Sequence, residues 1–392
     1  MSIPTGIFLQ LLAFLLLCSW SALSVVALLK LRRRKLTAPP RFDGVSVLKP
    51  LSGVDPALEA NLRSFFDQDH PVYEIVFGVQ NEADPALVLA RRLKRQYPHV
   101  PCRIVVHDRT GMNPKISNLR AMLQAVQHDW VVISDANVRV GRQWLRELAC
   151  VAHEPRTGLV FNPIAGDMGR NLGTQLETLQ LDTCVAAGCS VPTELLGHPA
   201  VIGKSMLFRR SLFEALGGFE SVASVLAEDY VMGRMFGTAG YRVRIAPTPA
   251  RNVQAVSLRQ FLARQLRWAT LRCRLQPLAY AAEPLFGPLP LFVFGWLSGQ
   301  LYLPLAAAAV AICVLRDALL LLLMRTDAGG PPRIGFSLLL LGGLRELLMF
   351  GVWAVAPFVR HVSWRGHRLR LSAGTRLYAE QPLLQGSSYR VE

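Results

Sequence analysis

The chain has 392 residues, is 51% hydrophobic and 18% charged, and carries a formal net charge of +16. That charged fraction is below the roughly 25% usual in soluble domains, and the apolar residues bunch at the two ends, which excludes a disordered chain and argues against a wholly soluble one. Cys18, Cys102, Cys150, Cys184, Cys189, Cys273 and Cys313 include no CxxC pair, so neither a zinc site nor a disulfide framework is expected, and free thiols fit a reducing compartment.

Ile7 to Leu29 is uncharged, with Gln10 and a few serines as its polar side chains. It is long enough to cross about 30 Å of hydrocarbon as a helix. A cleaved signal peptide would carry its basic residues before the apolar run. Here Lys30, Arg32, Arg33, Arg34, Lys35 and Arg41 follow it, with no acid among them. The positive-inside rule then puts the N-terminus outside and residue 30 onward in the cytoplasm.

Residues 43–255 alternate short β-rich runs with helical patterns. Val45–Leu48, Glu74–Val79, Arg103–Val106 and Trp130–Ser134 read as strands. Between them, Pro56–Phe66, Pro85–Tyr97 and Pro114–Gln127 each open on a proline after Asp or Asn, a helix-start signal. The alternation predicts an α/β domain with a mostly parallel sheet and helices on both faces. Ligands of such sheets lie beyond the carboxyl ends of the strands. That edge takes Gln80–Asp84, Ser134–Asn137 and the loop before Glu228-Asp229.

Each candidate there has two readings when taken singly. Asp135 ends an apolar run, so it faces the cleft and can hold Mg²⁺ or Mn²⁺ against a diphosphate, or it caps a turn. Asp84 precedes Pro85 and can serve simply as an N-cap. Glu228 and Asp229 open the helical run Tyr230–Ala239, where acids suit the helix dipole. Lys115 and Asn118 lie one helical turn apart and can meet a phosphate or sugar at a helix start, or form a solvated face.

The second basic run is Arg259, Arg264, Arg267, Arg272 and Arg274, again without an acid. Arg264-Gln265-Leu266-Arg267-Trp268 lies in this amphipathic stretch and suits a helix at a membrane surface. A third acid-free run, Arg360, Arg365, Arg368, Arg370 and Arg376, lies near the C-terminus. Together the three runs carry the whole charge excess. Two abut apolar segments and the third lies just before one, which points to anionic lipid headgroups at roughly 1 kcal/mol per near-surface Lys or Arg. No nucleic-acid recognition motif of the usual kinds accompanies them.

Leu285–Met324 is long enough for two membrane spans, with Gly299–Pro304 as the turn between them. A polar break at 325–333 precedes Ile334–Val359, which contains the adjacent pair Arg345-Glu346. Charges at that depth are costly and usually paired or functional. Three C-terminal crossings would put the basic tail outside, so an even number is expected, with one segment re-entrant or interfacial. The expected organisation is an anchor over 1–30, a cytosolic catalytic domain over 31–256 and basic interfacial helices over 257–284. A transmembrane or re-entrant region over 285–360 and a cytosolic basic tail over 361–392 complete it.

In order, Asp84, Asp135, Asp229 and Arg264-x-x-Arg267-Trp268 resemble the D, D, D, (Q/R)xxRW series of membrane-bound inverting glycosyltransferases with a GT-A fold. The segments Val47-Leu48-Lys49-Pro50-Leu51, Gly111-x-Asn113-Pro114-Lys115-Ile116-x-Asn118, Ala227-Glu228-Asp229-Tyr230 and Ser363-Trp364-Arg365 resemble ceramide glucosyltransferases, glycosyltransferase family 21, in a bacterial member. The resemblance implies transfer of a sugar, glucose by expectation, from a UDP-sugar to the primary hydroxyl of ceramide. It implies Asp229 as general base, Asp84 near the uracil or ribose, Asp135 on a divalent cation, and Arg267 and Trp268 framing diphosphate and acceptor. Lys115, Asn118, Glu228 and Arg264 complete the expected donor site. Asn137 stands where a DxD has its second acid, so a cation rests on Asp135 and phosphate oxygens. The alternative acceptor is a hopanoid, with UDP-N-acetylglucosamine as donor. A processive synthase would need more spans, a transporter a polar pathway through several spans, and a scaffold protein would release no UDP. The expected location is a bacterial inner membrane.

Overall fold

The computed structural model describes residues 5–39, 41–108, 111–167, 169, 171–324, 336–364, 367–371, 375, 377–378 and 389–392. The polar break at 325–333 and the basic residues Arg365 and Arg376 lie outside them.

The strands are β1 (Val45–Pro50), β2 (Tyr73–Val79), β3 (Cys102–His107), β4 (Trp130–Ser134), β5 (Val138–Arg139), β6 (Thr157–Phe161), β7 (Ile164–Gly166), β8 (Ser205–Arg209), β9 (Arg242–Ile245) and β10 (Ala250–Asn252). Near the C-terminus follow β11 (His361–Trp364), β12 (His367–Leu371), β13 (Leu377–Tyr378) and β14 (Tyr389–Val391). The main sheet runs β14-β3-β2-β1-β4-β8-β6-β9. Its centre is parallel, and β8 is inserted antiparallel between β4 and β6. Expected strands and observed ones agree closely, because runs of Val and Ile buried on both faces have few other solutions.

Alternation along the strands divides the core. Val45, Val47, Ile75, Phe77 and Val132 point to one face, covered by α2 (Leu58–Arg63), α3 (Pro85–Gln96) and α5 (Trp144–Ala152). Leu48, Val76, Val131 and Ile133 point to the other. That face is covered by α4 (Pro114–Leu123), α8 (Arg210–Ala215) and α9 (Glu228–Thr238). The proline starts work as expected, since Asp84 caps α3 by accepting from Ala86 N and Asn113 caps α4 by accepting from Ile116 N. Pro56 is the exception: that helix begins at Leu58, after a turn in which Asp55 Oδ1 accepts from Ala57 N at 2.8 Å.

The membrane helices grow out of the second face. α1 (Thr5–Arg32) buries Leu28 and Leu31 in the same core cluster as Leu320 and Met324, at the end of α13 (Leu303–Leu323). α1, α13 and the segment Leu340–Phe358 of and beyond α14 (Phe336–Val355) are long and apolar enough to cross a membrane. The first span expected within Leu285–Met324 takes another form. Its helix α12 (Leu289–Leu297) has only 9 residues and meets the preceding helical segment Pro277–Phe286 at a 77° bend. Nine residues rise about 13 Å, too little to cross alone. Gln10 in α1 is satisfied by the turn after α12, donating to the Gln300 carbonyl at 2.9 Å and accepting from Tyr302 N at 3.1 Å.

A continuous helical run joins the two parts: α6 (Leu172–Leu179), a π segment Gln180–Val185, α7 (Ala186–Ser190) and a second π segment Val191–Leu195. Arg345 in α14 reaches it, donating to Thr183 Oγ1 at 2.5 Å. The same guanidinium pairs with Glu346 at 2.5 Å and Asp317 at 3.1 Å, and Arg316 pairs with Asp317 at 3.0 Å. Two arginines and two acids thus close a neutral tetrad. At the other end, Glu194 accepts from Arg34 at 3.0 Å and Ile245 N at 3.1 Å, while Lys30 donates to its carbonyl.

The basic runs are therefore not all lipid-facing. Arg32 and Arg34 turn inward onto the Pro247 and Ile245 carbonyls, while Arg33 and Lys35 are exposed. The C-terminal segment likewise is not a free tail. β11, β12 and β13 form a small antiparallel sheet, and β14 pairs with the edge strand β3. Arg345→Met would leave Asp317 and Glu346 to Arg316 alone, one negative charge in excess, and breaking one partner of a buried pair costs about 3–5 kcal/mol. The expected outcome is a large drop in unfolding temperature in detergent, with part restored in Arg345→Met combined with Asp317→Asn.

Candidate active site

The carboxyl ends of β1, β4 and the loop before β8 converge. β4 ends at Ser134, and the chain turns out of the sheet at Asp135, whose N–H donates to the Lys204 carbonyl at 3.2 Å. The β4–β8 register sets Ser134 opposite Ser205. Asp135 and Lys204, from distant parts of the chain, thus become backbone neighbours.

Lys115, in the first turn of α4, is the cation at the centre. Its Nζ lies 3.0 Å from Asp135 Oδ1 and 3.1 Å from Glu228 Oε1, and it donates to the Gly203 carbonyl at 3.2 Å. Burial disfavours its charge, but Asp135, Glu228 and Asp229 outweigh that and hold the ammonium far above its ordinary range. Burial likewise opposes ionisation of Asp135, yet Lys115 and Lys204 bring its carboxyl down to about 2. Lys49 donates to the Asp135 carbonyl at 2.5 Å and to Ser134 Oγ at 3.3 Å. Its own ammonium sits 3.7 Å from the centroid of the Phe65 ring, and burial pushes its pKa well down.

Asp229 is held differently. Gly203 N donates to Oδ2 at 2.6 Å and Tyr230 N donates to Oδ1 at 2.8 Å. Burial first, and Glu228 beside it second, push its pKa up to about 6, against the pull of Lys115 and the two N–H groups. Asp229 is half-buried. Gly203 must be glycine for this: a Cβ there would lie 2.8 Å from Asp229 Cβ and 2.9 Å from Oδ2.

Asp84 lies one strand over, at the end of β2. Its two oxygens accept from Gly53 N at 3.0 Å, and Oδ1 also accepts from Ala86 N at 2.9 Å. The N-cap reading of Asp84 is thus present, together with a tie to the Gly53 turn, whose φ of +67° suits glycine. Asn118 does not face the cleft. It is fully buried, donates to the Gly78 carbonyl at 2.9 Å and has Oδ1 3.3 Å from His107 Nε2, so it bolts α4 to the sheet. Lys115, expected to meet a phosphate, makes ion pairs with Asp135 and Glu228 here.

The basic helix α10 (Leu258–Leu275) opens with a Ser257/Gln260 capping box and is followed by α11 (Pro277–Ala282). Arg264 pairs with Glu177 of α6 at 2.5 Å and donates to Gln254 Oε1 at 3.1 Å. Gln254 Oε1 also accepts from Asn137 Nδ2 at 3.1 Å. Arg267 is half-buried and makes no hydrogen bond or ion pair with the described residues. Burial, then Arg264 beside it, lowers its pKa. Trp268 packs against the main core cluster. Arg272 pairs with Glu283 at 2.7 Å, and Arg274 donates to the Val359 carbonyl.

Reading the sequence missed Lys49, Gly203, Lys204, Glu177 and Gln254. Lys49 stood inside a segment already singled out, but a lone Lys ending a strand carries no spacing signal. Arg316 and Asp317 were passed over too, although they neutralise Arg345 and Glu346.

The donor set at Asp135 fits a divalent cation bound from one side. Oδ1 accepts from Lys115, while Lys204 stands 3.7 Å from Oδ2. Asn137 turns its amide oxygen to Lys204 at 3.1 Å. Among the described residues, no three His, Cys, Asp or Glu side chains converge as a metal cage. One carboxylate plus substrate phosphate oxygens and water is a normal ligand set for Mg²⁺.

Residues 11–377 match the family model described as Glycosyl transferase family 21. Ceramide glucosyltransferase 1 of Caenorhabditis elegans is 26% identical over 352 residues, covering 88% of this chain and 75% of that one. Ceramide glucosyltransferase of Komagataella phaffii is 28% identical over 311 residues, covering 64% and 61%. Among solved structures, mannosyltransferase PcManGT from Pyrobaculum calidifontis in complex with GDP-Man and Mn²⁺ superposes with a TM-score of 0.50 at 19% identity, covering 89% of this chain and 99% of that one. That likeness concerns the fold, which is GT-A.

Gly203→Ala is expected to displace Asp229 and cut turnover at least a hundredfold while UDP affinity changes little, as read by steady-state kinetics beside calorimetry. With its family match running nearly end to end and its carboxylates gathered at the sheet edge, the chain belongs to glycosyl transferase family 21 and is a hexosyltransferase held by membrane-spanning helices.

Proposed function

We propose that the protein transfers a sugar from a UDP-sugar to the primary hydroxyl of a ceramide-type lipid, with inversion at the anomeric carbon. The observation that carries this reading is the Asp229 carboxylate, pinned by two backbone N–H groups and poised near pH 6 at the cleft. A base near the working pH is the efficient one for taking a proton from an alcohol.

In this reading the lipid hydroxyl attacks the anomeric carbon from the side opposite the departing UDP. Asp229 accepts the hydroxyl proton as the new C–O bond forms. A single displacement turns an α-linked donor into a β-glycoside. The leaving diphosphate gains negative charge, and Arg267, unpaired among the described residues, is a side chain that can meet it. A divalent cation at Asp135 would supply further charge neutralisation there. Asp84 orders the turn at Gly53 beside the nucleoside end of the cleft. Lys115 takes no part in proton transfer, since three carboxylates hold it charged. Its work is to keep Asp135 and Glu228 together.

The acceptor enters from the membrane side. The bent pair Pro277–Phe286 and Leu289–Leu297 follows directly on α10, and Leu278, Trp296 and Phe358 are strongly exposed around it. A lipid can leave its tails in the bilayer there while its hydroxyl reaches Asp229. The catalytic domain faces the cytosol by the charge rule, and the inner membrane of a bacterium is the matching location.

Product analysis tests the reading. Detergent-solubilised protein, supplied with UDP-glucose, Mg²⁺ or Mn²⁺ and ceramide, is expected to yield a hexosylceramide identified by mass spectrometry. An amino-sugar hopanoid from UDP-N-acetylglucosamine, with no hexosylceramide, would keep the mechanism and replace both substrates. Asp229→Asn is expected to abolish transfer, with UDP affinity within a few-fold of the parent.

The pH profile tests the base separately. A carboxyl raised to about 6 is active only when ionised, so kcat/KM should fall as the pH drops through about 6. Glu228 raises that value by like-charge repulsion. Glu228→Gln should therefore move the acid limb to lower pH, and an unmoved limb would remove Asp229 as the titrating group.

A further inference from the structure

We propose that Lys204 is a direct ligand of the donor's diphosphate, held in waiting beside Asp135 by the side chain of Asn137. The inference rests on the UDP-sugar reading above and assigns that site a second cation besides Arg267.

The backbone places it. Lys204 precedes β8, and its carbonyl accepts from Asp135 N, so the lysine stands at the diphosphate end of the cleft whatever its side chain does. The side chain is nearly enclosed, with a relative exposure of 11%. Buried ammonium groups are normally paired. Lys115 obeys that rule, with two carboxylates near 3 Å. Lys204 does not. Its one hydrogen bond among the described residues goes to the neutral amide oxygen of Asn137 at 3.1 Å, and Asp135 Oδ2 lies beyond hydrogen-bond reach at 3.7 Å. An ammonium has three donors, so part of its capacity is unspent at a site built for an anion.

Asn137 is fixed in turn. Its amide nitrogen donates to Gln254 Oε1, which also accepts from Arg264, itself clamped by Glu177. That chain settles which end of the Asn137 amide faces Lys204. It also ties Lys204 to α10, the helix that carries Arg267. Two cations with donor capacity to spare among the described residues, from the β8 loop and from α10, thereby share one frame. A second acid at position 137 would pair with Lys204 and quench it. Asparagine orients the ammonium without neutralising it, which gives the residue a role beyond the loss of a cation ligand.

The consequence is specific. If an ammonium touches the phosphates directly, donor binding does not pass wholly through a divalent cation. Titration calorimetry of UDP into the detergent-solubilised full chain, with Mn²⁺ and then with EDTA, reads this out. The parent protein is expected to bind UDP measurably in EDTA. Lys204→Met is expected to weaken that metal-free binding about tenfold to a hundredfold, the worth of one charged hydrogen bond. Lys204→Arg should retain most of it, which a purely structural role would not predict. Asn137→Ala, which keeps the charge and loses its orientation, should fall between.

Equal UDP affinity of the parent and Lys204→Met in EDTA would overturn the assignment. So would a parent protein that binds UDP with Mn²⁺ and not at all in EDTA. Failure of the parent to bind UDP in either condition would instead sink the donor reading itself, and Lys204 with it. A parent that binds UDP normally but makes no glycolipid would overturn only the acceptor half of that reading and leave Lys204 as a phosphate ligand.

Discussion

Lys115 is the interaction on which the active edge depends. Asp135 and Glu228 come from opposite parts of the chain and carry like charge, and Asp229 is next to them. Without a cation among them, such carboxylates repel and raise one another's pKa. The ammonium at 3.0 Å and 3.1 Å from two of them offsets that repulsion and fixes α4, β4 and α9 in one arrangement. It also donates to the carbonyl of Gly203, whose N–H holds Asp229. One lysine therefore sets the geometry of Asp135 and, through one peptide, of Asp229.

The same logic of pairing governs the membrane side. Arg345 inside an apolar helix is tolerable because Asp317 and Glu346 neutralise it and Thr183 takes a further N–H. The helical run from Leu172 to Leu195 then acts as a common rail. Glu177 on it clamps the basic helix α10, Thr183 meets α14, and Glu194 receives Lys30 and Arg34 at the end of α1. The anchor, the membrane helices and the catalytic domain all report to that one run. The rail thereby holds the membrane-spanning side and the active edge of the sheet in a constant relation.

Charge runs illustrate how local sequence underdetermines use. Lys30, Arg32, Arg33, Arg34 and Lys35 look alike as a string, and all suit a headgroup surface. In the fold, Arg32 and Arg34 face inward onto carbonyls and Glu194, whereas Arg33 and Lys35 face outward. Arg264 and Arg267 diverge in the same way: Glu177 takes the first and the second has no partner among the described residues. What distinguishes them is which acidic side chain from elsewhere arrives beside each, and no spacing along one helix encodes that.

Much of the architecture was legible from local patterns. Valine-rich runs made β1 to β4, the prolines after Asp84 and Asn113 began α3 and α4, and the end of β4 placed Asp135 at the ligand edge. These rest on short-range causes: strand burial on both faces, proline's fixed φ, and capping of free N–H groups. The three acids and the basic helix were recognisable by their order alone. Other assignments required the tertiary structure. Asn118 looked like a ligand group beside Lys115, but packing of α4 turned it into the sheet. Lys204 became the neighbour of Asp135 only because β8 inserts antiparallel beside β4. Arg316 and Asp317 met Arg345 and Glu346 only because α13 and α14 pack side by side. The sequence by itself determined the fold class, the long apolar helices α1, α13 and α14 and the order of the three acids and the basic helix, because hydrophobic periodicity and turn chemistry act over a few residues. The tertiary structure alone decided which charges pair and which stay free for a ligand, because Coulomb and hydrogen-bond terms depend on separations of a few ångströms between residues far apart in the chain.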